Sequence, residues 1–386
     1  MVAALFLVTF GISNPIAAFG VFLPVIGEDT GWSRGAISVA LSINLFVGAP
    51  MGFVFGTLTD RHGPRLILPV TITLAGTSFA LASTVAALWQ FYLFVGVMAG
   101  IGTSTFYLLA ASTVARWFQA RRGLAMGIVF TGFNVGYMTG APVAALLIEH
   151  LGWRAAYAAH AAVFCGIAVL GSLFVRFPPA ARAAAAGASG ASPTAREPTF
   201  RSALRDGRLW LLSASWLLAG AVLLMVSVHI VPFSLDRGIG LDTAALTLTA
   251  YGLGAVTGRI IFGLAADRFG GRTAMWICTG AQMAALAGVV AGAPQALLLG
   301  CLFLFGLGFA GADTVFVKVV PDVFGLRAIG AVMGVMALGW RAGAALGPAT
   351  AGFVYDTTGS YVLPFGAGPV VIALSFALYL AGSRRR

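Results

Sequence analysis

Stretches of eighteen or more predominantly apolar residues recur along the whole of this 386-residue chain, and runs of that length leave few structural options. A helix in a water-soluble core needs only one apolar face, whereas a helix in lipid needs about 20 residues that are apolar all round. Backbone groups in hydrocarbon must be satisfied within their own segment, so repeated runs imply a bundle of spanning helices. Windows of about 19 residues mark twelve of them. The first six are roughly 3–24, 36–58, 66–86, 90–112, 123–146 and 154–175. The second six are roughly 209–232, 243–264, 272–292, 295–317, 328–351 and 361–381. The expected class is an all-α membrane protein.

Composition excludes the nearest alternatives. Charged residues make up 9% and hydrophobic ones 59%, against about 25% and under half in soluble domains, which argues against a soluble enzyme. The formal charge of +11 does not point to nucleic acid, because the basic residues fall in short loops between apolar runs. Cys165, Cys278 and Cys301 lie in apolar stretches without metal-like or pairable spacing and read as small core fillers. No His/Asp cluster, nucleophile arrangement or phosphate-binding loop occurs at membrane depth, so no enzyme activity, cofactor or metal is expected. The first apolar stretch lacks a basic n-region and is too long for a signal h-region, so it reads as the first span.

With both termini cytoplasmic, eighteen basic residues fall on the inside loops and tail, three (Arg34, Arg154, Arg237) fall outside, and two lie within spans. That inside-positive bias sets the orientation, in a bacterial inner membrane. Residues 177–208, rich in Pro, Ala, Gly, Ser and Arg, read as a cytoplasmic linker between bundles 1–176 and 209–386. The bundles repeat: TLTDRHGPR around Asp60 recurs as LAADRFGGR around Asp267, an offset of 207 residues that also carries Gly31 to Gly238 and Gly152 to Gly359. Two parallel copies of six spans suit a two-domain carrier.

GTLTDRHGPR (56–65) and its echo GLAADRFGGR (263–272) resemble the loops after helices two and eight of the major facilitator superfamily. The resemblance implies gating and stability roles for Gly56, Asp60, Arg61, Arg65, Gly263, Asp267, Arg268 and Arg272. The aspartates would pin helix ends to nearby arginines in one transport conformation and release them in the other, with Gly56 and Gly263 allowing close helix approach. FGVFLPVIGEDTGWSRGAIS (19–38), ARWFQARRGLAMGIVFTGFNVG (115–136) and GRIIFGLAADRFG (258–270) are similar to the monocarboxylate transporter and oxalate:formate antiporter branch. In that branch a helix-eight arginine contacts the substrate carboxylate, and Arg259 matches it. Arg341 fills the place of the exchanger's basic residue in helix eleven. The branch's proton relay has a lysine in helix one and an aspartate four residues before the helix-eight arginine. Here helix one has no ionisable residue, and position 255 is Ala255.

Charges within the spans carry the substrate argument. Arg259 lies about 12 Å along its helix from Asp267; snorkelling, a structural ion pair and a cavity position are all open to it. Arg341 lies about 21 Å from Arg327 and about 22 Å from Asp356, too far to snorkel easily in either direction. A midplane arginine costs from about 2.5 to over 10 kcal/mol unless water, a counter-charge or an anion meets it. A guanidinium grips a carboxylate bidentately. Asn134 is the repeat equivalent of Arg341. Asn14, Tyr107, Tyr137 and Tyr251 are further polar candidates, each also suited to helix–helix contacts. Asp313 is expected to partner local bases such as Lys318, or to couple protons, and His229 sits where a proton could enter.

The expectation is therefore a secondary transporter of small organic anions (monocarboxylates or dicarboxylates) acting by alternating access as a monomer, through proton symport or anion exchange. Its partners would be the carboxylate, protons and the bilayer, not nucleic acid. An efflux carrier of neutral or amphiphilic compounds, with structural arginines paired through backbone carbonyls or Asp313, is the alternative; a non-transporting receptor is a third class.

Overall fold

The computed structural model describes residues 1–118, 122–178, 205–292, 294–324 and 329–383. Six helices form the first unit. They are α1 (Val2–Thr30), α2 (Arg34–His62), α3 (Pro64–Ala82), an interrupted α4 (88–117), and α5 and α6, which split the helical run Arg122–Leu173 at Gly152. The second unit contains α7 (Gly207–Leu235), α8 (Leu241–Phe269), α9 (Gly271–Val290), α10 (Gln295–Phe324), α11 (Ile329–Thr358) and α12 (Val362–Gly382). Among the described residues the regular structure is all helical, six helices to each unit. The chain divides into two compact units, Met1–Trp32 with Ala36–Thr194, and Ser33–Gly35 with Ala195–Arg386.

Nine helical runs among the described residues are long and apolar enough to cross a membrane, and one of these, Ala125–Leu173, contains both α5 and α6. The fourth apolar stretch departs from its expected continuous helix. It runs as Leu88–Phe91, a π-helical Tyr92–Met98 and Ala99–Thr103, and resumes at Phe106–Trp117. The π-helical segment coincides with close packing, since a Cβ on Gly96 would press on Ile43 and one on Gly100 on the Asn44 backbone.

The 207-residue repeat is visible in the backbone. Gly31 and Gly238, Gly63 and Gly270, and Gly152 and Gly359 all have φ between 66 and 85°. Gly63 (φ 82°, ψ 160°) and Gly270 (φ 85°, ψ 148°) open α3 and α9 in a region essentially restricted to glycine. In the first unit, Gly132, Gly136 and Gly140 of α5 lie against α1 at Thr9, Ser13 and Asn14. Their equivalents in the second unit, Gly339, Gly343 and Gly347 of α11, lie against the Ser213, Leu217 and Ala221 backbone of α7. Glycines four apart expose a strip of bare backbone, so two helices meet carbonyl against Cα. The same logic joins α8 to α10, where Gly254 and Gly258 meet Phe303 and Leu307.

Gly56 and Gly263 do not act this way. Among the described residues a Cβ on Gly56 meets nothing within 4 Å, and one on Gly263 meets only Thr314 Cγ2 at 3.8 Å. In α8 the close approach is made earlier, at Gly254 and Gly258.

Candidate substrate site

Both intramembrane arginines belong to the second unit. Arg341 sits between Gly339 and Gly343, about 200° around α11 from each at about 100° per residue, so its side chain leaves the face opposite the α7 seam. It is partly exposed, and among the described residues no hydrogen bond or ion pair reaches its guanidinium. Asn134 stands in the same relation to Gly132 and Gly136 on α5. It too is partly exposed, with no side-chain hydrogen bond among the described residues.

Arg259 differs. Its Nη2 lies 3.3 Å from Asp313 Oδ2, with side chains 42% and 21% exposed. Of the readings open to Arg259, this is the ion pair, and the base that meets Asp313 stands on α8; the Lys318 side chain lies outside the described residues. α10 packs against both α8 and α11, so Asp313 belongs to the helix that touches both arginine-bearing helices.

The remaining polar candidates are drawn into packing. Asn14 Nδ2 donates to Thr139 Oγ1 at 2.8 Å, joining α1 to α5, while its buried Oδ1 has no hydrogen-bond partner among the described residues. Tyr137 is buried 5.0 Å from the Phe133 ring, and Tyr251 is buried 6.2 Å from Phe305. The side chains of Tyr107, Asp60, Arg61 and Asp267 lie outside the described residues; Arg65, Arg268 and Arg272 are exposed.

His229 is not at an entry point. It is fully buried, with Nε2 2.8 Å from the Pro348 carbonyl and Nδ1 2.9 Å from the Tyr361 hydroxyl. A carbonyl can only accept, so Nε2 carries the proton and Nδ1 accepts from the Tyr361 hydroxyl. The ring ties α7 to α11 and to the start of α12. His160, passed over in the sequence, is similarly buried on α6 with Nε2 3.3 Å from the Gly140 carbonyl. Only its apolar surroundings could have signalled it.

Near the ends of α1 and α7 the repeat sets Asp29 and Asp236. Asp29 accepts from Trp153 Nε1 at 3.0 Å and Arg154 Nη2 at 3.2 Å. This makes Trp153 a buried strut, while Trp89 and Trp210 are exposed. In the second unit, which includes Ser33–Gly35, Asp236 receives both terminal nitrogens of Arg34 at 2.7 and 2.8 Å.

Known proteins share this architecture. The family model described as Major Facilitator Superfamily matches residues 3–246 and 225–386. Monocarboxylate transporter 11 of Homo sapiens is 28% identical over 374 residues, covering 92% of this chain and 74% of the relative. Monocarboxylate transporter 13 of Bos taurus is 27% identical over 379 residues, covering 97% and 84%. Among solved structures, a point mutant of the nucleoside transporter NupG superposes with a TM-score of 0.80 at 14% identity, covering 99% of both chains. A bacterial homologue of the human lysosomal transporter Spinster, inward-facing and occupied, superposes with a TM-score of 0.74 at 16% identity, covering 99% of this chain and 96% of that one. Identities this low in the structural matches speak for the fold alone. The chain is a multi-pass membrane transporter and belongs to the major facilitator superfamily, with relatives among its monocarboxylate transporters.

Proposed function

We propose that this transporter carries small organic anions, monocarboxylates or dicarboxylates, by alternating access. The observation that carries the reading is the Arg341 guanidinium, midway along α11 and partly exposed, with no partner among the described residues. A cation at that depth needs water or an anion beside it, and a carboxylate offers the bidentate geometry that a guanidinium prefers. The names of the relatives point to the same substrate class. Arg259, held by Asp313, is the second cation, available to an anion when that pair opens. Asn134 and Tyr251 are the neutral groups we assign to substrate contact, and the Asp60 and Asp267 loops to gating. The arginine distribution supports cytoplasmic termini in a bacterial inner membrane, and we take the functional unit to be the monomer.

One observation favours a second reading. The Arg259–Asp313 pair removes one of two positive charges, which would suit a carrier of neutral or amphiphilic compounds. Uptake of labelled small acids into proteoliposomes separates the two. Arg341→Gln is expected to reduce carboxylate uptake on the order of 100-fold, the scale set by losing one partner of a desolvated charge pair. Undiminished carboxylate uptake by a folded Arg341→Gln protein overturns the anion reading. Flux under imposed pH gradients, and with acid preloaded inside, distinguishes proton symport from exchange.

A further inference from the structure

A cavity with room of about 40 Å³ lies inside the second unit, walled by α7, α9, α10 and α12. A water needs about 10–15 Å³ by this measure, so the space takes a small hydrated occupant. Its lining is mostly apolar, and the oxygen-bearing side chains in it are Ser215, Thr279, Gln282, Asp313, Ser375 and Tyr379. Each serine hydroxyl lies 2.8 Å from the other's backbone carbonyl and the two hydroxyls lie 3.2 Å apart; with both protons on the carbonyls, the two hydroxyl oxygens are acceptors. Gln282 donates through Nε2 to the Cys278 carbonyl at 3.3 Å, leaving its amide oxygen uncommitted. Thr279 and Gln282 are each 6% exposed, and among the described residues no hydrogen bond reaches the Thr279 hydroxyl or that amide oxygen. Oxygen acceptors and one carboxylate therefore border a space whose lining contains no cationic side chain.

We propose that this cavity binds a sodium-sized monovalent cation through Asp313, Gln282, Thr279 and the serine hydroxyls, and that Arg259 and the cation take turns on the Asp313 carboxylate. Hard cations gather oxygen ligands, several of them neutral; a proton requires only the carboxylate and makes no use of the amide and hydroxyl oxygens around it. With Arg259 on Asp313, the carboxylate is neutralised and the guanidinium repels a second cation. When Arg259 turns to an anion, Asp313 is released and draws the cation in. That coupling step rests on the anion-carrier reading; the cation site itself does not.

Equilibrium binding of labelled sodium to the purified full-length protein, substrate-free and at fixed pH and ionic strength, tests the site. Saturable binding is expected, displaced by unlabelled sodium and not by choline. Thr279→Val and Gln282→Leu are each expected to weaken it by about tenfold or more, as removal of an oxygen ligand should. Arg259→Gln is expected to tighten it by about tenfold, because the competing cation is gone. If Gln282→Leu does not fold, Gln282→Glu replaces it and is expected to tighten binding. No saturable sodium binding in the wild type, sodium affinity indifferent to these lining substitutions, or weaker binding in Arg259→Gln overturns the proposal. Carboxylate flux that depends on Arg341 without sodium binding sinks the cation site alone. Sodium binding with carboxylate flux indifferent to Arg341 sinks the anion reading alone.

Discussion

Halfway along α5 stands Asn134, and 207 positions later, halfway along α11, stands Arg341. The helices that carry them share a glycine seam of matching register, Gly132–Gly136–Gly140 against α1 and Gly339–Gly343–Gly347 against α7. The loops before α3 and α9 turn on glycines of nearly the same backbone geometry. Charge is shared far less evenly. Arg and Asp side chains within the spans occur in the second unit as Arg259, Asp313 and Arg341, while the middle of the spans in the first has none. The repeat therefore preserves what the backbone needs and leaves ligand chemistry free to diverge. Burial cost enforces the difference, since a seam glycine has no substitute but a mid-span charge persists only where something pairs with it.

Substitutions at equivalent positions sharpen or break this comparison. The largest effect is expected at the seams. Gly343→Val would drive a side chain into the Leu217 carbonyl, and Gly136→Val would meet the Ser13 hydroxyl and the Phe10 carbonyl. Each is expected to cost about 3 kcal/mol or more of stability, as overpacking against backbone does, read as thermal unfolding in detergent. A large loss in only one unit would mean that the two seams are not equivalent.

Next comes the paired chemistry. Arg341→Gln should lower carboxylate uptake on the order of 100-fold, whereas Asn134→Ala should lower it by about threefold, the scale of one neutral hydrogen bond. Similar losses at both positions would undo the assignment of charge recognition to one half. Third, Gly63→Ala and Gly270→Ala should each cost about 1–3 kcal/mol of stability through forced backbone strain; sharply unequal shifts in Tm would show that the two loops are under different constraint. Smallest is Asn14→Ala, expected to cost under about 1 kcal/mol by Tm. It removes the bond to Thr139 but also relieves a buried oxygen that has no partner among the described residues.

What the sequence reveals depends on the range of the interaction. Apolar runs mark the spans because lipid imposes its demand residue by residue along one helix. The ends run further than the apolar windows, and α1 continues past Pro24 to Thr30 because Glu28 and Asp29 are polar yet compatible with a helical last turn. The left-handed Gly31, Gly152, Gly238 and Gly359 are visible through the repeat. The break in α4 is not, because no proline or charged residue marks it and its close contacts come from α2 and α3. The Arg259–Asp313 pair is legible only as one option among several, because the residues lie on different helices and spacing along the chain does not say which helix faces meet. Arg341 is legible because mid-span charge is costly wherever its neighbours are. His229 shows the opposite case, a titratable side chain whose two partners come from elsewhere in the fold.

The backbone-on-backbone contact between α7 and α11 has an evolutionary consequence. Because the seam uses one face of α11 and position 341 projects from the other, a descendant could exchange that arginine for a neutral, aromatic or acidic residue while keeping its support intact. New cargo preferences could then arise one substitution at a time on an inherited frame, without a compensating repair of the fold.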